Sequence, residues 1–217
     1  MEAATARRQG VIPPEMRRSS LLALGGFGVY EGMASPPMLQ MLLAEAIERR
    51  SSAQESRVSE PDNEEFRGGS PERSFLSASG GEAQDAFYQS PDVLTTLIQL
   101  SGVRLAPSGA RGTYTYYCRA GDFLGLHRDI DKCDVAVITC LHDGQQATHE
   151  SGLLCLYPGR LLEPLSAIRR APGEGRTLVR LAPGQTIVLL GGLVAHCLLP
   201  VVDGQDRVVS VLCFRIV

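Results

Sequence analysis

GTYTYYCRAGDFLGLHRD, residues 112–129, decides how this chain reads. Its first half is a run of threonines and tyrosines, residue types that suit a pleated, half-buried surface. Gly121 and Asp122 supply a turn, and a second strand-like run, Phe123 to Arg128, follows. His127 and Asp129 stand two positions apart, and in an extended chain residues i and i+2 share a face. Runs of the same texture continue outward: DVAVITCLH (134–142), GLLCLY (152–157), TLVRLA (177–182), QTIVLLG (185–191), LVAHCLL (193–199) and RVVSVLCFRIV (207–217). With the two in the opening stretch they make eight short strands, which predict an all-β sandwich or barrel with helices packed outside it.

Upstream the pattern changes. Ser35 before Pro36 and Pro37 is helix-start chemistry, and Leu39, Leu42, Leu43, Ala46 and Ile47 form one apolar stripe that ends in basic residues. Ser90, Pro91 and Asp92 open a second helix through about Leu100. Residues 51–74 are polar with Gly68, Gly69 and Pro71, and read as one long loop. Residues 1–34 read as a partly flexible N-terminal extension with one possible strand in LLALGGFGVY. Residues 35–217 read as a single domain whose β core spans about 110–217.

The 217 residues carry 21 Lys+Arg against 24 Asp+Glu, a formal net charge of -3. That balance gives no global field for nucleic acid or an anionic membrane, so neither is expected as a partner. The most apolar run, Thr186–Val202, is broken by Gly191, Gly192, His196 and Pro200 and is too short to cross a bilayer. The six cysteines (118, 133, 140, 155, 197 and 213) show no CxxC, and several sit in apolar runs. They read as reduced structural residues of a cytoplasmic protein.

His196 lies 67 positions after Asp129, inside another apolar run. Two imidazoles and one carboxylate on one face of a metal leave open coordination positions, which favours non-haem Fe(II) with oxygen chemistry. Arg207 starts the last strand, and its guanidinium fork suits a planar carboxylate held near that metal. A bland alternative pairs Arg207 with Asp203 or Asp206, with Arg215 as the substitute anion anchor. His142, Asp143 and His149 read as a solvated loop. Asp131 and Asp134 lack the i, i+2 relation to His127.

Residues 121–129, the VAVITCLHD strand, Ser151–Leu154, Pro183–Leu189, His196 and Arg207 resemble, in order and spacing, the 2-oxoglutarate/Fe(II)-dependent oxygenases, in particular the prolyl-4-hydroxylase-like branch. Glu55–Ser59 and Glu72–Ser74 look like that family's substrate-side segment. The resemblance implies a double-stranded β-helix (a jelly-roll, cupin-like fold) with Fe(II) held by His127, Asp129 and His196. It also implies 2-oxoglutarate on the metal with its distal carboxylate on Arg207, and O₂ consumed with release of succinate and CO₂. Hydroxylation of an unactivated C–H is the default outcome, on an amino acid, a peptide-linked amino acid or a natural-product intermediate. The family's tyrosine three positions before the glycine is Cys118 here, and Tyr116, sharing its face by alternation, is the candidate hydroxyl beside Arg207. Ser210 falls on the face opposite Arg207.

Two other functions fit the same residues: a cupin-like metalloenzyme that does not use 2-oxoglutarate, and a non-catalytic metal- or ligand-binding barrel. Tyr88, Phe87, Phe66, Arg57 and Arg73 are candidate pocket residues that could equally be ordinary loop residues.

Overall fold

Strand chemistry dominates the chain, and the computed structural model shows what it builds. Residues 12, 14–62, 64–109, 111–144 and 150–217 are described; the first eleven residues and His149, read above, lie outside them. In chain order the elements are α1 (Ser20–Ala23), β1 (Phe27–Tyr30), α2 (Pro36–Arg49), β2 (Gln54–Val58), β3 (Arg73–Ser79), α3 (Glu82–Tyr88) and α4 (Pro91–Ser101). Then come β4 (Leu105–Pro107), β5 (Thr113–Tyr117), β6 (Phe123–His127), β7 (Val135–Asp143), β8 (Leu154–Leu156), α5 (Leu165–Arg170), β9 (Thr177–Val179), β10 (Thr186–Leu189), β11 (His196–Leu198) and β12 (Arg207–Ile216). Short 3₁₀ turns lie at Pro14–Arg18, Arg50–Ser52 and Pro158–Arg160.

All strand pairs are antiparallel, in the order β1-β10-β7-β12-β5-β3-β6-β11-β8-β9, with β2 on β3 and β4 on β12. The β10-β7-β12-β5 and β6-β11-β8-β9 runs curl to face one another, with β3 bonded to both β5 and β6 where they meet. This is the double-stranded β-helix, and all eight strands read from the sequence are in it. The edge-strand problem is limited by curling and by covering helices.

The flanking helices start as their caps require. The hydroxyls of Ser35 and Ser90 accept from the backbone N–H groups of Met38 and Val93, and α4 stops at Gly102, whose φ of 71° suits glycine. Helix α2 buries Leu42 and Ala46, a narrower stripe than its sequence suggests, and leaves Ile47 67% exposed. Each fully buried leucine here is worth about 1.5–3 kcal/mol. The side of β5 that faces α2 carries Tyr114, bonded to Glu45 Oε1 at 2.6 Å, and Tyr116, whose hydroxyl donates to the Ala46 carbonyl at 2.7 Å. The other side of β5 presents Thr113, Thr115 and Tyr117 to the interior cavity.

Three readings need correction. Residues 51–74 are not one loop: they contain β2, and β3 begins at Arg73. Polar QESRV is an edge strand bonded only to β3 and mostly exposed, so no apolar alternation marks it. The cysteines are not all reduced, because Cys133 and Cys213 form a disulfide across 80 positions; Cys118, Cys140, Cys155 and Cys197 are free thiols. Asp143 is not a solvated loop residue, because it closes β7 with a side chain only 8% exposed and pairs with Arg180 and Arg207.

Glu45 fastens the first turn of α3 to α2. Oε1 accepts from Gly81 N and Gln84 N, and Oε2 from Ala83 N, at 2.8–3.1 Å. Burial favours the protonated form, but these bonds and Tyr114 outweigh it and hold the carboxyl below the usual glutamate range. The stabilisation is therefore full above the unfolded glutamate pKa and is lost as pH falls through the lower folded value. Glu45→Ala should cost about 2–3 kcal/mol in urea unfolding near neutral pH, and the gap from wild type should narrow as pH drops below the glutamate range. A gap that does not change with pH would contradict this account.

Candidate metal centre and its cavity

His127 closes β6 and His196 opens β11, and the two face each other as a register pair. Four residues of β6 (Leu124 to His127) are matched by three of β11 (His196 to Leu198), a bulge in β6. Because of that extra residue, Leu124 and His127 both line the interior while Leu126 packs outward against the cluster of Cys155, Tyr157, Leu165, Ile168 and Ala195. Asp129 lies just beyond the strand end, and its backbone N–H donates to the Gly191 carbonyl at 2.8 Å. One ligand atom from each of His127, Asp129 and His196 lies within 4.8 Å of the other two. Asp129 Oδ1 is 3.5 Å from His127 Nε2 and 3.7 Å from His196 Nε2.

The three side chains are set for an electrophile. His127 Nδ1 contacts the Gly125 carbonyl at 2.8 Å and His196 Nδ1 the Val194 carbonyl at 2.9 Å. A carbonyl can only accept, so each Nδ1 carries a proton and each Nε2 is the nitrogen turned toward Asp129. Burial, reinforced by His127, pushes His196 down to about 4, so it stays neutral in ordinary solution. Burial disfavours the charged form of Asp129, but the two imidazole edges and Arg67 outweigh it and keep the carboxyl below the usual aspartate range. Asp129 Oδ2 is buried without a hydrogen-bond partner, a cost expected where a cation is to be met. Two imidazoles and one carboxylate converging on one point fit a divalent ion of the Fe(II) type.

Two arginines hold the ligand loop. Arg67, in the β2–β3 connection, donates Nε to the Asp129 carbonyl at 2.9 Å, a terminal nitrogen to the Ile130 carbonyl at 2.7 Å and the other to Asp134 at 2.8 Å. Arg128, between the two ligands, turns the opposite way. It donates to the carbonyls of Leu193, Phe66, Arg160 and Glu163 at 2.7–3.2 Å. Burial lowers it to about 10, so it remains charged. Nothing in the sequence reading pointed to Arg67 or Arg128, because an arginine spent on backbone carbonyls has no sequence motif.

The centre opens on a cavity of about 490 Å³. Arg207, 1% exposed, lines it together with Tyr117, Thr115, Val209 and Val211. One terminal nitrogen of Arg207 donates to Asp143 at 3.0 Å, while its Nε is buried with no hydrogen-bond partner. The ion-pair partner is thus Asp143, not Asp203 or Asp206; Asp206 pairs with Arg50 instead. Tyr116 is not in the cavity, and the tyrosine beside Arg207 is Tyr117. Strand alternation was counted from Cys118, but β5 ends at Tyr117, so Cys118 has no strand parity to pass on. Ser210 does face away, accepting from Gln84 at 2.8 Å, and Arg215 is exposed. Of the pocket candidates only Arg73 lines the cavity; Phe87 and Tyr88 belong to the packed core, and Arg57 is exposed.

No family model matches the chain, and no curated protein does. Solved structures do. A Pseudomonas putida prolyl-4-hydroxylase is 20% identical with a TM-score of 0.61, over 91% of this chain and 96% of that one. The non-heme alpha ketoglutarate dependent epimerase SnoN of nogalamycin biosynthesis is 16% identical with a TM-score of 0.67, over 98% and 81%, and has also been solved with Fe3+ and alpha ketoglutarate. A Trichoplax adhaerens prolyl hydroxylase is 12% identical with a TM-score of 0.58, over 98% and 92%. The fold is that of the 2-oxoglutarate/Fe(II) oxygenases, with a prolyl-4-hydroxylase and a prolyl hydroxylase among its structural neighbours. Among the described residues no helix is long and apolar enough to cross a membrane.

A Cβ on Gly191 would sit 1.8 Å from Asp129 Oδ2. Gly191→Ala should therefore displace the carboxylate and weaken Co(II) binding by about 10–100-fold, read from the visible spectrum of the titrated protein. Unchanged affinity would remove Asp129 from the ligand set.

Proposed function

We propose that the chain is an Fe(II)- and 2-oxoglutarate-dependent oxygenase acting on an unactivated C–H of an amino acid, a peptide or a natural-product intermediate. The observation that carries this reading is the shared cavity: His127, Asp129 and His196 converge on one wall, and Arg207 reaches the same space. His127, Asp129 and His196 would hold the ferrous ion, and Arg207 with Tyr117 would receive the distal carboxylate of 2-oxoglutarate. When bound, the pair would supply O₂ activation coupled to conversion of 2-oxoglutarate to succinate and CO₂, with one oxygen atom passing to the substrate. In this reading residues 35–217 form one oxygenase domain, with its β core at about 110–217.

The protein's own contribution is orientation and exclusion. The Gly125 and Val194 carbonyls keep both Nε2 atoms aimed inward. Arg67 and Arg128 fix the loop from opposite sides. Leu124, Ile138, Leu198, Val209 and Val211 give the cavity apolar walls, which strengthen any charge contact made inside it. Neighbours of this fold include a prolyl hydroxylase in complex with a peptide fragment and an epimerase and a carbocyclase of nogalamycin biosynthesis, which supports a peptide or a natural-product substrate.

One observation favours the cupin-like alternative without 2-oxoglutarate: Asp143 already meets part of Arg207's charge. The two readings separate in one titration. Fe(II) and 2-oxoglutarate, added without oxygen, should give a weak visible charge-transfer band that His127→Ala abolishes. Arg207→Gln should keep metal binding but weaken 2-oxoglutarate on the order of 10–100-fold. No band in wild type, or equal affinity in Arg207→Gln, would favour the alternative.

A further inference from the structure

On the wall of the cavity just assigned, and among the described residues, Arg73 has no carboxylate within hydrogen-bond distance and keeps one terminal nitrogen unbonded. Strand β3 turns Arg73, Phe75 and Ser77 toward the interior, two residues apart in each case. Arg73 Nε donates to Ser56 Oγ at 2.8 Å, and one terminal nitrogen donates to Ser70 Oγ at 3.2 Å and to the Pro71 carbonyl at 3.4 Å. All three acceptors are neutral. Of the other lining arginines, Arg128 donates to four backbone carbonyls, and Arg207, which gives one terminal nitrogen to Asp143, is the residue assigned above to 2-oxoglutarate. Among the described residues the one carboxylate on the cavity wall, Asp129, stands with the two histidines.

A half-buried guanidinium held in a fixed orientation by hydroxyls, with a free terminal nitrogen, is arranged for an incoming anion. Beyond these polar contacts the cavity wall is apolar at Phe75, Leu124, Leu198 and Ile130, while on its other side Arg73 borders a groove that carries Glu55, Glu72 and Asp122. Register fixes its distance from the centre. Arg73 pairs with Leu124, Leu124 with Leu198, and His196 lies two residues along β11 from Leu198. Two inter-strand spacings of about 4.8 Å each and two strand steps of about 3.3 Å each put the backbone of Arg73 on the order of 12 Å from that of His196.

We propose that Arg73 anchors a carboxylate of the primary substrate, so that the enzyme takes monocarboxylates with an apolar body and attacks a carbon several bonds from the acid group. This rests on the reading of the cavity as an oxygenase site, and it adds the substrate's charge and polarity. The anchor sits on the β2–β3 hairpin, apart from the residues that would hold the metal and co-substrate. Ser56 and Ser70 orient it.

The test is calorimetric binding of hexanoate and of hexanamide to the full chain loaded with Zn(II) and 2-oxoglutarate. Wild type should bind the acid at least about tenfold more tightly than the amide. Arg73→Gln should lose that preference, and Arg73→Lys, which keeps the charge, should retain part of it. Arg73→Met serves if the glutamine variant does not fold. Equal binding of acid and amide by wild type, a preference that survives Arg73→Gln, or no binding of the acid below about 10 mM would each overturn the proposal. Titration of wild type with 2-oxoglutarate alone separates the two ideas. If 2-oxoglutarate binds and the acid is not preferred, only the anchor fails; if the acid is preferred and 2-oxoglutarate does not bind, the oxygenase reading fails and Arg73 keeps its role.

Discussion

The pairing of His127 with His196 across β6 and β11 is the contact on which the rest of the centre depends. Nearly seventy residues separate the two imidazoles in sequence, and only the antiparallel register brings their ring centroids to 4.2 Å. A shift of one residue in that register would turn His196 into the packed layer under α5 and bring Cys197 inward. The bulge in β6 is the local device that makes the register usable, because it lets His127 face the cavity while Leu126 faces the outer layer. Asp129 then needs only a short loop to reach the same point, and Arg67, Arg128 and Gly191 shape that loop.

Much of this was readable in the chain. The eight core strands alternate or run apolar because each has at least one face on the interior, and that burial leaves a periodic trace. Both capped helices announced themselves through Ser-Pro chemistry. The His-x-Asp pair and the distal histidine were visible because few other polar residues interrupt those runs. β2 and β3 were not visible. Their partners are each other and the seam between the two half-sheets, so QESRV has no buried face to keep apolar.

The errors at the site have the same origin: contacts that long-range geometry makes and local pattern cannot show. Tyr117 rather than Tyr116 faces inward because a strand's parity stops where the strand stops. Asp143 looked like part of a polar turn, yet it is the last residue of β7 and lies opposite Arg207 in the register of β7 with β12. Cys133 and Cys213 sit 80 positions apart and come together because the loop after Asp129 crosses the far end of β12. No spacing rule would have joined them.

Arg128 carries a wider lesson about the short motif in which it sits. The middle residue of a His-x-Asp pair looks free to vary, since neither neighbour needs it for charge or donor atoms. Here that side chain is 2% exposed and ties together three stretches of backbone, at Phe66, at Leu193 and along the 160–163 turn. The freedom a pattern assigns to its unspecified letter is a statement about chemistry at the ion, and the architecture around it sets a stricter rule. Among distant kin, an arginine at this letter would travel with the 160–163 turn it grips, and chains lacking that turn would be free to spend the letter on something else.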